Sequence, residues 1–159
     1  MQSFLGDVHE NNFYDLLEKA NVKNDIERES LFFIIAGNNE LYKNVNKLYN
    51  FKENNININI NEDGEIYIPD LPVSSSARKL AYLAIQLYNS CNKQSVMETF
   101  AGMDENNFRL AINAIKLRFR MIELQQHKGK VTTINDEIKF QSVKEADELL
   151  FKLQGRHNL

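Results

Sequence analysis

The segment Leu31–Ala36, LFFIIA, is the feature that most constrains this chain. At about 100° per residue, six consecutive apolar residues cover the whole circumference of a helical turn. A helix with no polar face cannot lie on a surface and must be covered on several sides. Asp25 is placed to start such a helix, and Gly37 followed by Asn38 is a common way to stop one. The expectation is therefore a central, deeply buried helix from about Asp25 to Ala36. With 159 residues, 43% of them hydrophobic, the chain is large enough to supply the cover without a metal or a disulfide.

The candidates for that cover are amphipathic. From His9 to Ala20 the residues Phe13, Leu16, Leu17 and Ala20 recur at helical spacing, with Asp7 as N-cap and Glu10 completing a capping box. Glu40–Tyr49 presents Leu41, Val45, Leu48 and Tyr49 on one side, and its short link to the buried helix predicts an antiparallel pair. The period then changes to two. Ile56, Ile58 and Ile60 alternate with Asn, Asn61–Gly64 forms a turn, and Ile66 and Ile68 resume the alternation, which predicts a β-hairpin at about 56–68. Ser74, Ser75 and Ser76 precede an apolar helix from Ala77 to Ser90. A short helix from Ser95 to Phe100 stops at Gly102, and Asp104 caps what is expected to be the longest helix, Glu105 to about Gln125. Beyond it, KVTTINDEIKF predicts a second hairpin around Asn135 and Asp136, followed by a helix from Val143 to Leu153. The fold class expected is mainly α: a helical bundle-like domain, 1–125, with one inserted β-hairpin, and a C-terminal hairpin and helix extension, 126–159.

Composition narrows the function classes. Lys plus Arg number 19 against 22 Asp plus Glu, and the net charge of −3 argues against a general coat for nucleic acid. Cys91 is the only cysteine, so a monomer can form neither an internal disulfide nor a cysteine zinc cluster, and a cytoplasmic location is expected. Neither a signal-peptide pattern at the N-terminus nor an apolar run near the roughly 20 residues of a bilayer span is present. The abundance of Asn, Ile and Lys, with no Trp, is characteristic of an AT-rich genome.

Catalytic and cofactor motifs are not apparent in the sequence. The six glycines form neither a phosphate-cradling loop nor a nucleophile elbow, and His9-Glu10 is not followed by the second histidine of a zinc helix. No cofactor or metal is expected. His9 shares a helical face with Phe13 and Leu16 and fits a hydrogen-bonded core or boundary histidine. Asp25, Glu27 and Glu29 lie on different sides of a helix N-terminus, where the backbone dipole favours negative charge.

Two features of the Glu105–Gln125 segment stand out. Arg118 falls between Ile115 and Ile122, inside the apolar arc, so its guanidinium must reach a carboxylate, carbonyls or the surface. On the other side Asn106, Arg109, Asn113, Lys116 and Arg120 fall within one narrow arc, which Lys128 and Lys130 could extend into a basic surface for an acidic protein or for phosphates. Ser95–Ile112 partly matches a helix-turn-helix. Against it, Glu98 stands where the tight crossing favours a small residue, and Asp104 and Glu105 would bring carboxylates to DNA.

The segments HENNFYDLL, DIERESLFFIIAGNNELY, SSSARKLAYLAIQLYN and AIKLRF resemble a poorly characterised family of small helical proteins from AT-rich bacteria and their mobile elements, over about His9 to Met121. The resemblance implies a fold and no catalytic residue. The leading expectation is a non-enzymatic, phage- or plasmid-encoded protein that occupies a surface of a partner protein, for example as an inhibitor of a host nuclease or defence complex. Its contact residues would be Arg109, Asn113, Lys116, Arg120, Lys128 and Lys130, and homo-oligomers are compatible with it. The alternative is a nucleic-acid-binding regulator using the 95–120 region. A third is an enzyme with a site assembled from His9, Glu29 and Arg118.

Overall fold

In the computed structural model, which describes residues 3–90 and 94–124, every residue from Ser30 to Ala36 is buried. These residues lie in α2 (Ile26–Gly37), which packs against helices on both sides of it in sequence. Before it comes α1 (Asp7–Lys19); after it come α3 (Asn39–Lys43), α4 (Val45–Leu48), α5 (Ser75–Asn89), α6 (Val96–Phe100) and α7 (Glu105–Arg118). Contacts from α1, α3, α5 and α7 cover α2, as its apolar circumference requires. Asp25 is its N-cap and accepts from the amides of Glu27 and Arg28, both at 3.1 Å.

Gly37 is the last residue of α2 and does not adopt the left-handed conformation of a stop glycine. Its smallness serves packing: a Cβ there would overlap Leu110 Cδ1 on α7 and lie 3.0 Å from His9 Cε1 on α1. The turn falls instead on Asn38, in extended conformation. Its Oδ1 caps α3 through the Leu41 amide at 3.1 Å, and its Nδ2 donates to Asn107 Oδ1 at 3.0 Å.

The expected Asp7–Glu10 capping box does not form. Gly6 is the N-cap of α1, and Asp7 is the first helical residue. The role is taken by His9, whose Nδ1 accepts from the Leu5 amide at 3.1 Å. The expected helix 40–49 is broken at Asn44, whose Nδ2 donates to the Glu40 carbonyl at 2.9 Å, four residues back.

Four short strands follow: β1 (Tyr49–Asn50), β2 (Asn55–Ile56), β3 (Asn59–Ile60) and β4 (Ile66–Tyr67). The expected hairpin pairs Asn59 with Tyr67 and Ile60 with Ile66, antiparallel, around a turn at Gly64 with φ +78. Ile56 pairs with Tyr49 in a separate antiparallel pair. Ile56 and Ile68 are buried, but Ile60 is 63% exposed, so the isoleucines do not share one buried face.

At 15 residues α5 is the longest described helix, exceeding α7 at 14. Ser74 caps it, and Glu40 accepts from the Ser74 amide and hydroxyl at 2.6 and 2.7 Å, fastening α3 to its start. The difference from expectation lies at the end of α7, which closes at Arg118 and not near Gln125. Arg120 turns left-handed, φ 56; its amide donates to the Leu117 carbonyl at 2.9 Å and the Met121 amide to that of Lys116 at 2.8 Å. This is a Schellman closure made without the usual glycine. The hairpin and helix expected after Gln125, with Lys128 and Lys130, lie outside the described residues, as does Cys91.

The crowding at Gly37 sets a stability test. Although alanine has the higher helix propensity by about 1 kcal/mol, Gly37→Ala should be net destabilising by about 1–2 kcal/mol in urea unfolding, because Leu110 and His9 are both buried and would have to shift within a packed core. An unchanged or raised unfolding midpoint would contradict this account of the glycine.

Candidate functional site

His9, 4% exposed, is enclosed by aromatic rings, with centroids 5.0 Å from Phe4 and 4.4 Å from Phe33. Since Nδ1 accepts from the Leu5 amide, the proton resides on Nε2, which donates to the Phe33 carbonyl at 2.9 Å. Burial lowers its pKa from 6.5 to about 4, with the Phe33 carbonyl opposing. His9 is thus a neutral, fully bonded core group joining α1 to α2, as its position among apolar residues implied.

Arg118 also finds the partners expected of it. Its Nε donates to the Leu87 carbonyl at 2.7 Å and its Nη2 meets Glu27 Oε1 at 3.1 Å. As the last residue of α7 it binds the last turn of α5 to the first turn of α2. Glu29 has different neighbours: burial raises its pKa, Asp25 adds to the shift and Arg120 opposes it. The three residues considered as a dispersed catalytic site therefore serve separate contacts, and His9 is enclosed.

A second arginine network was not anticipated from sequence. Arg28 donates Nε to Tyr49 Oη at 3.0 Å and Nη2 to the Asn54 carbonyl at 2.9 Å, and pairs with Asp25 through Nη1. Tyr49 Oη donates to Asn54 Oδ1 at 2.6 Å, and the guanidinium lies 5.7 Å from the centre of the Tyr88 ring. The bond to Tyr49 is foremost in holding Arg28 protonated. Burial pushes the Asp25 carboxyl up, but its bonds from Arg28 outweigh that and leave it below its ordinary value. Asp25 is three positions from Arg28, but Tyr49 and Asn54 are 21 and 26 positions away and Tyr88 lies further still, so local spacing marks only the Asp25 pair. It fixes the β1–β2 turn, where Asn54 has φ 52, to α2.

The basic stripe is shorter than expected. Arg109 is exposed and Lys116 half-buried on α7, but Asn113 donates to the Ser3 carbonyl at 2.9 Å and ties down the chain's N-terminal segment. Arg120 stands past the helix end, where the left-handed turn redirects it. The α6–turn–α7 unit is present: Gly102 turns with φ +69, and Phe100 packs edge-on to Phe108 at 5.3 Å. Glu98, unsuited to a tight DNA-binding crossing, closes a capping box with Ser95.

Where α5, α6 and α7 meet, they leave an open cleft of about 350 Å³. Its walls include Leu83 and Leu87 of α5, Val96 and Phe100 of α6, and Ile115 and Phe119 at the end of α7. Val96 is 73% and Phe119 68% exposed, and Met97, Phe108 and Met121 are also large exposed apolar residues. Gln94 is among the residues of the wall, and its Oε1, which is shut off from solvent, is the single buried side-chain atom without a hydrogen-bond partner among the described residues. Sequence reading missed the cleft because Val96 and Phe119 belong to helix ends, where periodicity carries little information.

A model of a family of unknown function, DUF6075, matches residues 1–130. The chain belongs to this family. The DUF6075 match takes in every described element, the cleft included, and continues past Met121, where the resemblance seen in sequence ended. No curated protein and no solved structure matches the chain. Among the described residues no helix is long and apolar enough to cross a membrane, and no group of three or more His, Cys, Asp or Glu could hold a metal ion.

Two measurements probe the polar ties. An unfolded imidazole titrates near 6.5 while folded His9 titrates at about 4, so below 6.5 the unfolded chain holds a proton the folded one refuses. The His9 contribution is therefore fully present above about pH 6.5 and declines as pH falls towards 4, by up to about 3 kcal/mol. Urea unfolding of the wild type and His9→Gln should show a stability gap that narrows over that range; a constant gap would refute the neutral-histidine assignment. For Arg118, Arg118→Ala should cost about 1–2 kcal/mol through the Leu87 carbonyl, and Glu27→Gln less than about 0.5 kcal/mol because that pair faces solvent. Equal costs would mean that the ion pair dominates.

Proposed function

We propose that this domain is a non-enzymatic protein-binding module that acts by occupying a partner's surface, using the α5–α6–α7 cleft as its contact. The observation that carries this is the concentration of exposed apolar side chains there, with Val96 and Phe119 lining the cleft and Met97 beside Val96 on α6. Isolated exposed apolar residues are ordinary, but a contiguous apolar depression with large side chains at its rim is characteristic of binding sites. Arg109 and Lys116 form a basic flank on the same helix as Ile115. A protein that blocks a host nuclease or another defence complex, carried by a phage or plasmid and acting in the cytoplasm, is the concrete form we favour. An AT-rich composition and the sequence resemblance support that setting.

The second reading is a nucleic-acid-binding regulator, favoured by the observed helix–turn–helix arrangement of α6 and α7 beside Arg109 and Lys116. Phosphate contacts would make binding fall steeply with salt, whereas apolar docking would not.

The docking reading is tested by partner capture from the native host with the wild type and with a Val96→Glu/Phe119→Glu double variant. Both residues are solvent-exposed, so the variant should melt within a few degrees of the wild type. Its affinity for the captured protein should fall by at least about tenfold, a loss of about 1.4 kcal/mol or more. Undiminished affinity would remove the cleft as the contact surface. Capture of nucleic acid with a steep salt response would favour the second reading.

A further inference from the structure

The outer face of α7 carries an apolar seam. Phe108, Ile112, Ile115 and Phe119 follow one another at spacings of four, three and four, the repeat by which one helix packs along another. Phe108 and Phe119 are large exposed side chains and Ile112 and Ile115 are half-buried, so the described helices leave the seam partly uncovered. Ile115 and Phe119 also line the cleft, which joins the seam to Val96 and Phe100 of α6. An extended segment laid over such a surface would press backbone N–H and C=O groups against side chains that are mostly apolar, whereas a helix brings its own backbone hydrogen bonds.

The flank of the seam is basic. Arg109 and Lys116 each follow a seam residue and project about 100° further round. They stand two turns apart, about 10 Å along the axis, and neither forms an ion pair among the described residues. The neighbouring cations are engaged elsewhere, Arg118 with the Leu87 carbonyl and Glu27, and Arg120 beside Glu29. Of the nearby acids, Glu98 closes its capping box and Asp104 caps α7, which leaves Glu105 at the start of the seam. A partner helix with acidic residues seven positions apart beside its own apolar stripe would meet both cations. A second copy of α7 laid antiparallel, with Phe108 opposite Phe119, would instead set Arg109 against Lys116.

We propose that the α7 seam and the adjoining cleft receive an acidic amphipathic helix of a partner protein, with carboxylates seven positions apart pairing with Arg109 and Lys116. This rests on the docking function proposed above and names the chemistry of its partner.

The probe is a fluorescein-labelled helical peptide with leucine along its apolar stripe and glutamate on both flanks, titrated with the full chain by fluorescence anisotropy. Its control carries lysine in place of every glutamate. Because the whole chain has a net charge of −3, a preference for glutamate must come from local charge. The Glu peptide should bind the wild type about tenfold more tightly than the Lys peptide, and the ratio should shrink as salt rises. Arg109→Glu/Lys116→Glu should reverse the preference and Arg109→Gln/Lys116→Gln should abolish it. The glutamine pair alone decides the matter where the glutamate pair lowers the melting temperature. Equal affinity of the two peptides for the wild type, or a preference unchanged by the glutamine pair, would overturn the acidic-helix inference while leaving docking at the cleft intact. Failure of both peptides to bind at millimolar concentration would also overturn it, as would tighter binding of duplex DNA than of the Glu peptide. Dimerisation of the chain that is lost in Val96→Glu/Phe119→Glu would make a second copy the occupant and overturn the inference. Peptide binding undisturbed by that double variant would overturn the docking reading and this inference together.

Discussion

The enclosure of α2 is the constraint on which the rest of the described structure depends. Leu31, Phe32, Phe33, Ile34 and Ile35 are 0–2% exposed, and each buried side chain of this kind contributes about 1.5–3 kcal/mol of transfer free energy. That gain requires cover from several directions, which is why α1, α3, α5 and α7 all converge on one 12-residue helix. The close approach has a local condition at Gly37, where the absence of a side chain admits Leu110 of α7 and the His9 ring of α1.

Enclosing a helix so completely forces polar groups into the assembly, and the chain meets each with a specific partner. His9 bonds two backbone groups on either side of its ring, Asn38 bonds both α3 and α7, and Arg118 secures the Leu87 carbonyl at the end of α5. Arg28 does the same for the β1–β2 turn. These groups hold the helices in register, since each would leave a buried donor or acceptor unmatched if its neighbour shifted. Gln94 Oε1 is the exception among the described residues, on a residue beside the cleft where α5, α6 and α7 separate.

The proposed docking function rests on that contrast, because the polar residues most conspicuous in the sequence are engaged in structural contacts. His9 and Arg118 are consumed by structure, and Asn113 is committed to the Ser3 carbonyl. The surface left with unused interaction capacity combines the apolar α5–α6–α7 cleft with Arg109 and Lys116. Binding, unlike catalysis, needs only such capacity in a fixed geometry.

The sequence by itself determined the helical character of the domain, the burial of LFFIIA, the helix starts at Asp25, at the Ser74–Ser76 cluster and at Ser95, the cap at Asp104, and the turn that ends at Gly64. These are properties of neighbouring residues: apolar periodicity and side-chain-to-amide bonds spanning two or three positions. It also marked His9 and Arg118 as polar groups that would need partners, because an apolar arc leaves them no water. Tertiary structure alone decided who those partners are, as Arg118 reaches Glu27 across 91 positions and Asn38 reaches Asn107 across 69. It also decided where α7 ends, because Arg120 makes the closing bonds of a left-handed glycine, against the conformational penalty of its Cβ, without announcing itself in sequence. The cleft belongs wholly to that level. It arises from the way three helices diverge, and no local pattern encodes the space left between them.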